Sequence, residues 1–173
     1  LVRDSWQKIG IKLLIKPSHR NVIRRRIYSG DTVMSLFSGL ENGLPTVTSS
    51  PAELAPTRQT QYQWPLWGQY RETNGQAGVA PDMPAAKKLL SLLQEWRKST
   101  TLEKREQVWH QMLEIHARQI FTIGLISGTL QPVVVSEKLQ NVPIKGIYNW
   151  DPGSHFGIYE PDTFWLKPKS EKK

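Results

Sequence analysis

The opening 39 residues constrain the fold more than any other stretch, because the hydrophobic period switches from helical to strand-like and back with almost no chain between the switches. Leu1, Val2, Ser5 and Trp6 recur at helical spacing, and Gly10 ends that element. IGIKLLIKP, residues 9–17, alternates, then runs apolar and stops at Pro17, as a strand does. Residues 19–29 set Val22, Ile23 and Ile27 among basic residues, a short amphipathic helix closed by Gly30. TVMSLFSG, residues 32–39, reads as a second, buried strand. Helix, strand, helix, strand with short links predicts an α/β domain whose two strand runs are neighbouring and parallel, joined by a right-handed crossover.

Residues 39–82 break that rhythm. They are rich in Pro, Gly, Ser, Thr and Asn and read as one long loop, neither helical nor strand-like. Loops of this length inside compact domains are uncommon and carry function. Within it, QWPLWGQY, Gln63 to Tyr70, crowds two Trp and a Tyr around Pro65 and Gly68. Pro65 restricts the backbone at Trp64, and Gly68 permits a sharp turn after Trp67, which suits a pre-shaped wall. Helices return at Pro84, with Asp82 as the expected cap, and Leu89, Leu92, Leu93 and Trp96 on one apolar face. Thr100 and Glu103 form the expected capping box of the next helix. Leu102, Trp109, Leu113, His116 and Ile120 form its expected apolar face. FTIGLISG, residues 121–128, reads as a strand and LQPVVVSEKL, residues 130–139, as extended chain. The lysine-rich end, residues 168–173, is expected to be a disordered basic tail.

Composition narrows the chemistry. With 38% hydrophobic and 22% charged residues the 173-residue chain can build a core. Its longest apolar run, Ile120–Gly128, falls far short of the roughly 20 residues of a membrane helix. Cysteine is absent, which excludes disulfides, zinc–thiolate sites and a thiol nucleophile. The chain opens on Leu1 inside a patterned segment and so reads as a fragment whose beginning lies upstream. A net charge of +8, from 23 Lys and Arg against 15 Asp and Glu, raises a basic α/β interaction or nucleic-acid-binding domain as the alternative function. Arg24, Arg25 and Arg26 are consecutive, however, so on a helix they fan out and make no single stripe.

Catalytic and metal patterns are missing. His110 and His116 do not share a helix face, HExxH is absent, and there is no GxSxG, GxxxxGK or GxGxxG. Asp151, His155, Glu160 and Asp162 fall in a turn-rich stretch where such side chains hold backbone. The expectation is therefore no enzyme, no cofactor and no metal. His116, on an apolar face, is expected to be buried with a hydrogen-bond partner.

Three stretches together carry a resemblance. SWQKIGIKLLIKP resembles the helix and strand that open the second lobe of family 5 extracellular solute-binding proteins, the oligopeptide- and dipeptide-type receptors of bacterial ABC importers. EWRKSTTLEKREQVWHQMLEIHARQIFTIGLIS resembles their late helical hairpin and the strand after it. QPVVVSEKLQNVPIKGIYNWDPGSHFGIYEPDTFWL resembles their C-terminal crossover towards the first lobe. The resemblance implies the second lobe of a two-lobed, type II periplasmic-binding-protein-like fold. Residues 1–145 would form that lobe and residues 146–167 the return segment. It further implies export to the periplasm or another extracytoplasmic space, a membrane permease and a first lobe as partners, and no nucleic acid. In peptide-binding relatives an aromatic and an acid follow the second strand. The corresponding SLFSGLENGLPT lacks the Trp and places Glu41 and Asn42 near the acid's position. The expected ligand is a peptide or an oligosaccharide-like polar solute, since sugar rings offer C–H faces to aromatic planes. The expected contacts are Glu41, Asn42, Trp64, Trp67 and Tyr70.

Overall fold

Two helices packed as a hairpin hold the core. The computed structural model describes residues 2–37, 49–126, 130, 132–145 and 160–168. In chain order its elements are α1 (Val2–Gln7), α2 (Arg20–Tyr28), a 3-10 turn (Pro51–Leu54), α3 (Pro65–Glu72), α4 (Pro84–Lys98), α5 (Leu102–Gln119), β1 (Leu139–Gln140), a second 3-10 turn (Pro161–Thr163) and β2 (Trp165–Leu166).

Helix α4 starts where Pro84 supplies a preset φ and has no N–H to leave unpaired. The residue before it, Met83, occupies the cap position without a side-chain bond, so Asp82 does not cap. Ala86, Leu89, Leu92 and Leu93 lie buried along one face, as their spacing requires. The helix stops at Ser99, whose backbone is extended and whose hydroxyl donates to the Glu95 carbonyl at 2.8 Å. Thr101, not Thr100, caps α5: its Oγ1 accepts from the Lys104 N–H at 3.3 Å. The start of α5 thus lies one residue beyond the predicted capping box.

The buried face of α5 also differs from the expected one. Val108, Trp109 and Met112 are buried, while Leu102, Leu113 and Ile120 are exposed. The true stripe is rotated by roughly a fifth of a turn from the predicted one. Leu102 is the first residue of the helix and Ile120 its C-cap, and both face water. Across the hairpin, Lys104 pairs with Glu95 at 2.6 Å, and the Arg105 guanidinium sits 5.0 Å from the Trp96 ring centre. Arg105 Nε also donates to the Ser99 carbonyl at 3.2 Å, tying the turn to both helices.

Residues 49–82 fold over this hairpin, and they contain the short helix α3 where the sequence reads as loop throughout. Gln61 organises the approach. Its Oε1 accepts from the Thr57 and Arg58 N–H groups at 2.8 and 2.9 Å, and its Nε2 donates to the Glu53 carbonyl at 3.1 Å. Leu54, Ala55 and Trp64 then join Leu89, Leu92, Leu93, Val108, Trp109 and Met112 in one core. Trp109 Nε1 donates to the Ser49 carbonyl at 3.1 Å, which anchors the start of the segment.

The strand-like runs behave otherwise. Among the described residues the only ladder is antiparallel, Leu139 opposite Leu166 and Gln140 opposite Trp165. Residues 9–17, 32–37 and 121–126 carry neither helix nor strand pairing, and large side chains on them stay in water; Leu14 is 81% exposed. Apolar runs are strands only when a neighbouring strand takes up their N–H and C=O groups and a layer covers their side chains. Neither is supplied here by the described residues.

Candidate functional site

The aromatic-rich segment divides between core and surface. Trp64 caps the start of α3 and is 3% exposed. Its ring meets His116 edge-on at 5.7 Å and Phe121 at 5.0 Å, and the latter two meet at 5.2 Å. Trp64 Nε1 is buried there without a hydrogen-bond partner. Trp67 is partly buried against the same core. Tyr70 is 36% exposed and lies over Gly75, where a Cβ would stand 3.3 Å from the Tyr70 Cζ. Trp64, Trp67 and Tyr70 therefore occupy three different settings. Glu41 and Asn42 lie outside the described residues, as do Asp151 and His155.

His116 has the expected partner. Its Nε2 meets the Leu54 carbonyl at 2.8 Å, and it is half-buried under Trp64 and Phe121. That burial lowers its pKa from the ordinary 6.5, against the opposing effect of the Leu54 carbonyl. Phe121 reaches it because Ile120 takes a left-handed backbone, φ 51°, at the end of α5.

A second aromatic group, absent from the sequence expectation, lies where α2 meets α3. Ile27, buried, fixes the orientation of α2, and Gly30 comes close enough to Leu66 that a Cβ there would lie 2.9 Å from its Cδ1. On the exposed side of that contact Tyr62 packs against Phe37 at 4.3 Å between ring centres and edge-on against Tyr28 at 6.0 Å. Arg24, one helical turn before Tyr28, donates from Nε to the Tyr62 hydroxyl at 3.2 Å. That bond, then the field of the same hydroxyl, raises the Arg24 pKa, so the group is a cation at any working pH. Phe37 remains 45% exposed, so the group offers a ring surface to solvent beside a guanidinium. Chemically it can stack on a flat or C–H-rich face and donate to an oxygen. Sequence reasoning missed it because Phe37 and Tyr62 meet only in the fold. The one available signal was Tyr62, next to the stretch singled out for its aromatics.

Among the described residues no group of three His, Asp or Glu side chains is placed to hold a metal, and no helix is long and apolar enough to cross a membrane. Compared with known proteins, the chain matches no family model and no curated sequence.

Proposed function

We propose that this chain is the second-lobe part of a solute-binding receptor of a bacterial ABC importer, capturing a peptide or oligosaccharide-like polar solute in the extracytoplasmic space. It would work with a first lobe and a membrane permease and would carry out no chemical step of its own. The observation that supports this best is the half-open Tyr28, Tyr62 and Phe37 surface beside Arg24. Open rings held by a packed scaffold suit solute capture, because the scaffold bears the ordering cost before the ligand arrives. Strand-like runs such as residues 9–17, apolar yet uncovered, suit a lobe that completes its sheet with further strands.

NMR titration of the intact chain with short peptides and with malto- and cello-oligosaccharides tests this. One lobe offers only part of a cleft, so weak binding is expected, with the shifts centred on Phe37, Tyr62 and Tyr28. No response to either class at millimolar concentration would overturn the proposal. Binding of an oligonucleotide that weakens steeply with salt would favour the basic nucleic-acid domain instead.

A further inference from the structure

Arg24 is held by a side-chain hydroxyl beside three aromatic rings. The ion pairs seen among the described residues are Arg3 with Asp4, Lys104 with Glu95, His110 with Glu106 and Arg118 with Glu114. None of them involves Arg24, which is half-buried and oriented by a neutral hydroxyl. The acid nearest in sequence on the C-terminal side, Asp31, already accepts from the Ser29 hydroxyl at 2.6 Å. With Nε committed to Tyr62, the two Nη groups remain as a forked pair of donors, a geometry that matches a carboxylate. The rings of Phe37, Tyr62 and Tyr28 lie alongside.

We infer that Arg24 is the anion-reading group of this surface, and that its ligand carries a carboxylate next to an apolar or ring-bearing face. This rests on the solute-capture reading above and narrows it from polar solutes in general to acidic ones. One feature favours a carboxylate over a phosphate: the apolar flank is large, which suits a ligand that is mostly ring or hydrocarbon. Arg25 and Arg26 project from α2 in other directions, whereas Arg20 lies one turn before Arg24 on its face, so phenyl phosphate is included as a probe.

The test uses N-acetyl-phenylalanine, its uncharged amide and phenyl phosphate as probes of the intact chain. Aromatic NMR signals of Tyr62 and Phe37 report binding, and circular dichroism checks folding of each variant. The acid should bind on the order of tenfold more tightly than the amide, the worth of one charge-assisted contact. Arg24→Gln should abolish that preference, bringing acid and amide to equal affinity, and Arg25→Gln, one position along α2, should leave the preference intact. Equal binding of acid and amide would overturn the inference and leave solute capture standing. Tighter binding of phenyl phosphate would overturn the choice of carboxylate. No response to any probe would overturn the inference, and silence towards the peptides and oligosaccharides as well would remove solute capture with it.

Discussion

Gly68 tests which of two opposed rules governs α3. It is a glycine inside a helix, so Gly68→Ala should gain about 1 kcal/mol of helix propensity. The surroundings say the reverse. A Cβ at position 68 would lie 2.0 Å from the Arg58 carbonyl oxygen, 2.2 Å from its carbon and 2.9 Å from Gln59 N. Ordinary C···O approaches are about 3.3 Å, so the backbone at Arg58 must retreat by more than about 1 Å. It cannot do so freely. Gln61 N donates to the Arg58 carbonyl at 3.2 Å, Arg58 N donates to the Gln61 side chain, and Gln59 N donates to the Glu72 carboxylate at 2.9 Å. Overpacking costs about 1–3 kcal/mol, and each stretched hydrogen bond about 0.5–1.5 kcal/mol. Two such bonds and the clash outweigh the propensity gain, leaving a net loss of about 2 kcal/mol. Urea unfolding followed by tryptophan fluorescence reads this directly as a lower midpoint at unchanged slope. The matching fall in melting temperature is about 4–8 °C for a chain of this size. A variant as stable as the parent, or more stable, would show that residues 57–59 do not press on α3 and would refute the packing described here.

Other substitutions read other parts of the same core. Ile120→Gly should stabilise by about 0.5–1 kcal/mol in thermal unfolding, because a β-branched residue is held at φ 51° where glycine carries no steric penalty. Trp64→Ala should cost about 3–5 kcal/mol, as expected for a large core side chain, and probe binding at Tyr62 should weaken along with stability. His116 sets a pH dependence. Its folded pKa is depressed by burial, so its contribution is fully present above the ordinary value of 6.5 and is lost as pH falls below it towards the folded pKa. Urea midpoints of the parent should therefore drop faster between neutral and mildly acid pH than those of His116→Asn; parallel curves would show that His116 protonates as easily folded as unfolded.

Short-range periodicity was legible where one helix packs on one neighbour. Leu89, Leu92, Leu93 and Trp96 line up by spacing alone, and the structure puts all four against the core. On α5 the same logic found a helix but rotated its face, because Leu102, Leu113 and Ile120 are apolar yet face water. Helix α3 was hidden by its own composition, since Pro65 and Gly68 read as breakers. Pro65 sits at the first helical position, where proline is favoured, and Gly68 is required by the approach of Arg58. Strand-like runs such as IGIKLLIKP were legible as apolar patterns only; pairing depends on a partner that no local pattern specifies.

The division of the aromatic segment follows from the same physics. Tyr62 and Trp64 are two residues apart, and the chain between them turns so that one ring faces Phe37 and the other faces His116. A polar-edged ring tolerates the half-open setting because its hydroxyl can accept from Arg24, whereas the indole of Trp64 gains more from burial than its unpaired N–H loses. One short segment thus fastens the core with its inward ring and presents a recognition surface with its outward one. Loss of Trp64 would loosen the scaffold that orients Tyr62, so its effects on binding and stability travel together. Arg24 touches only the surface side, which is why its replacement separates recognition from folding.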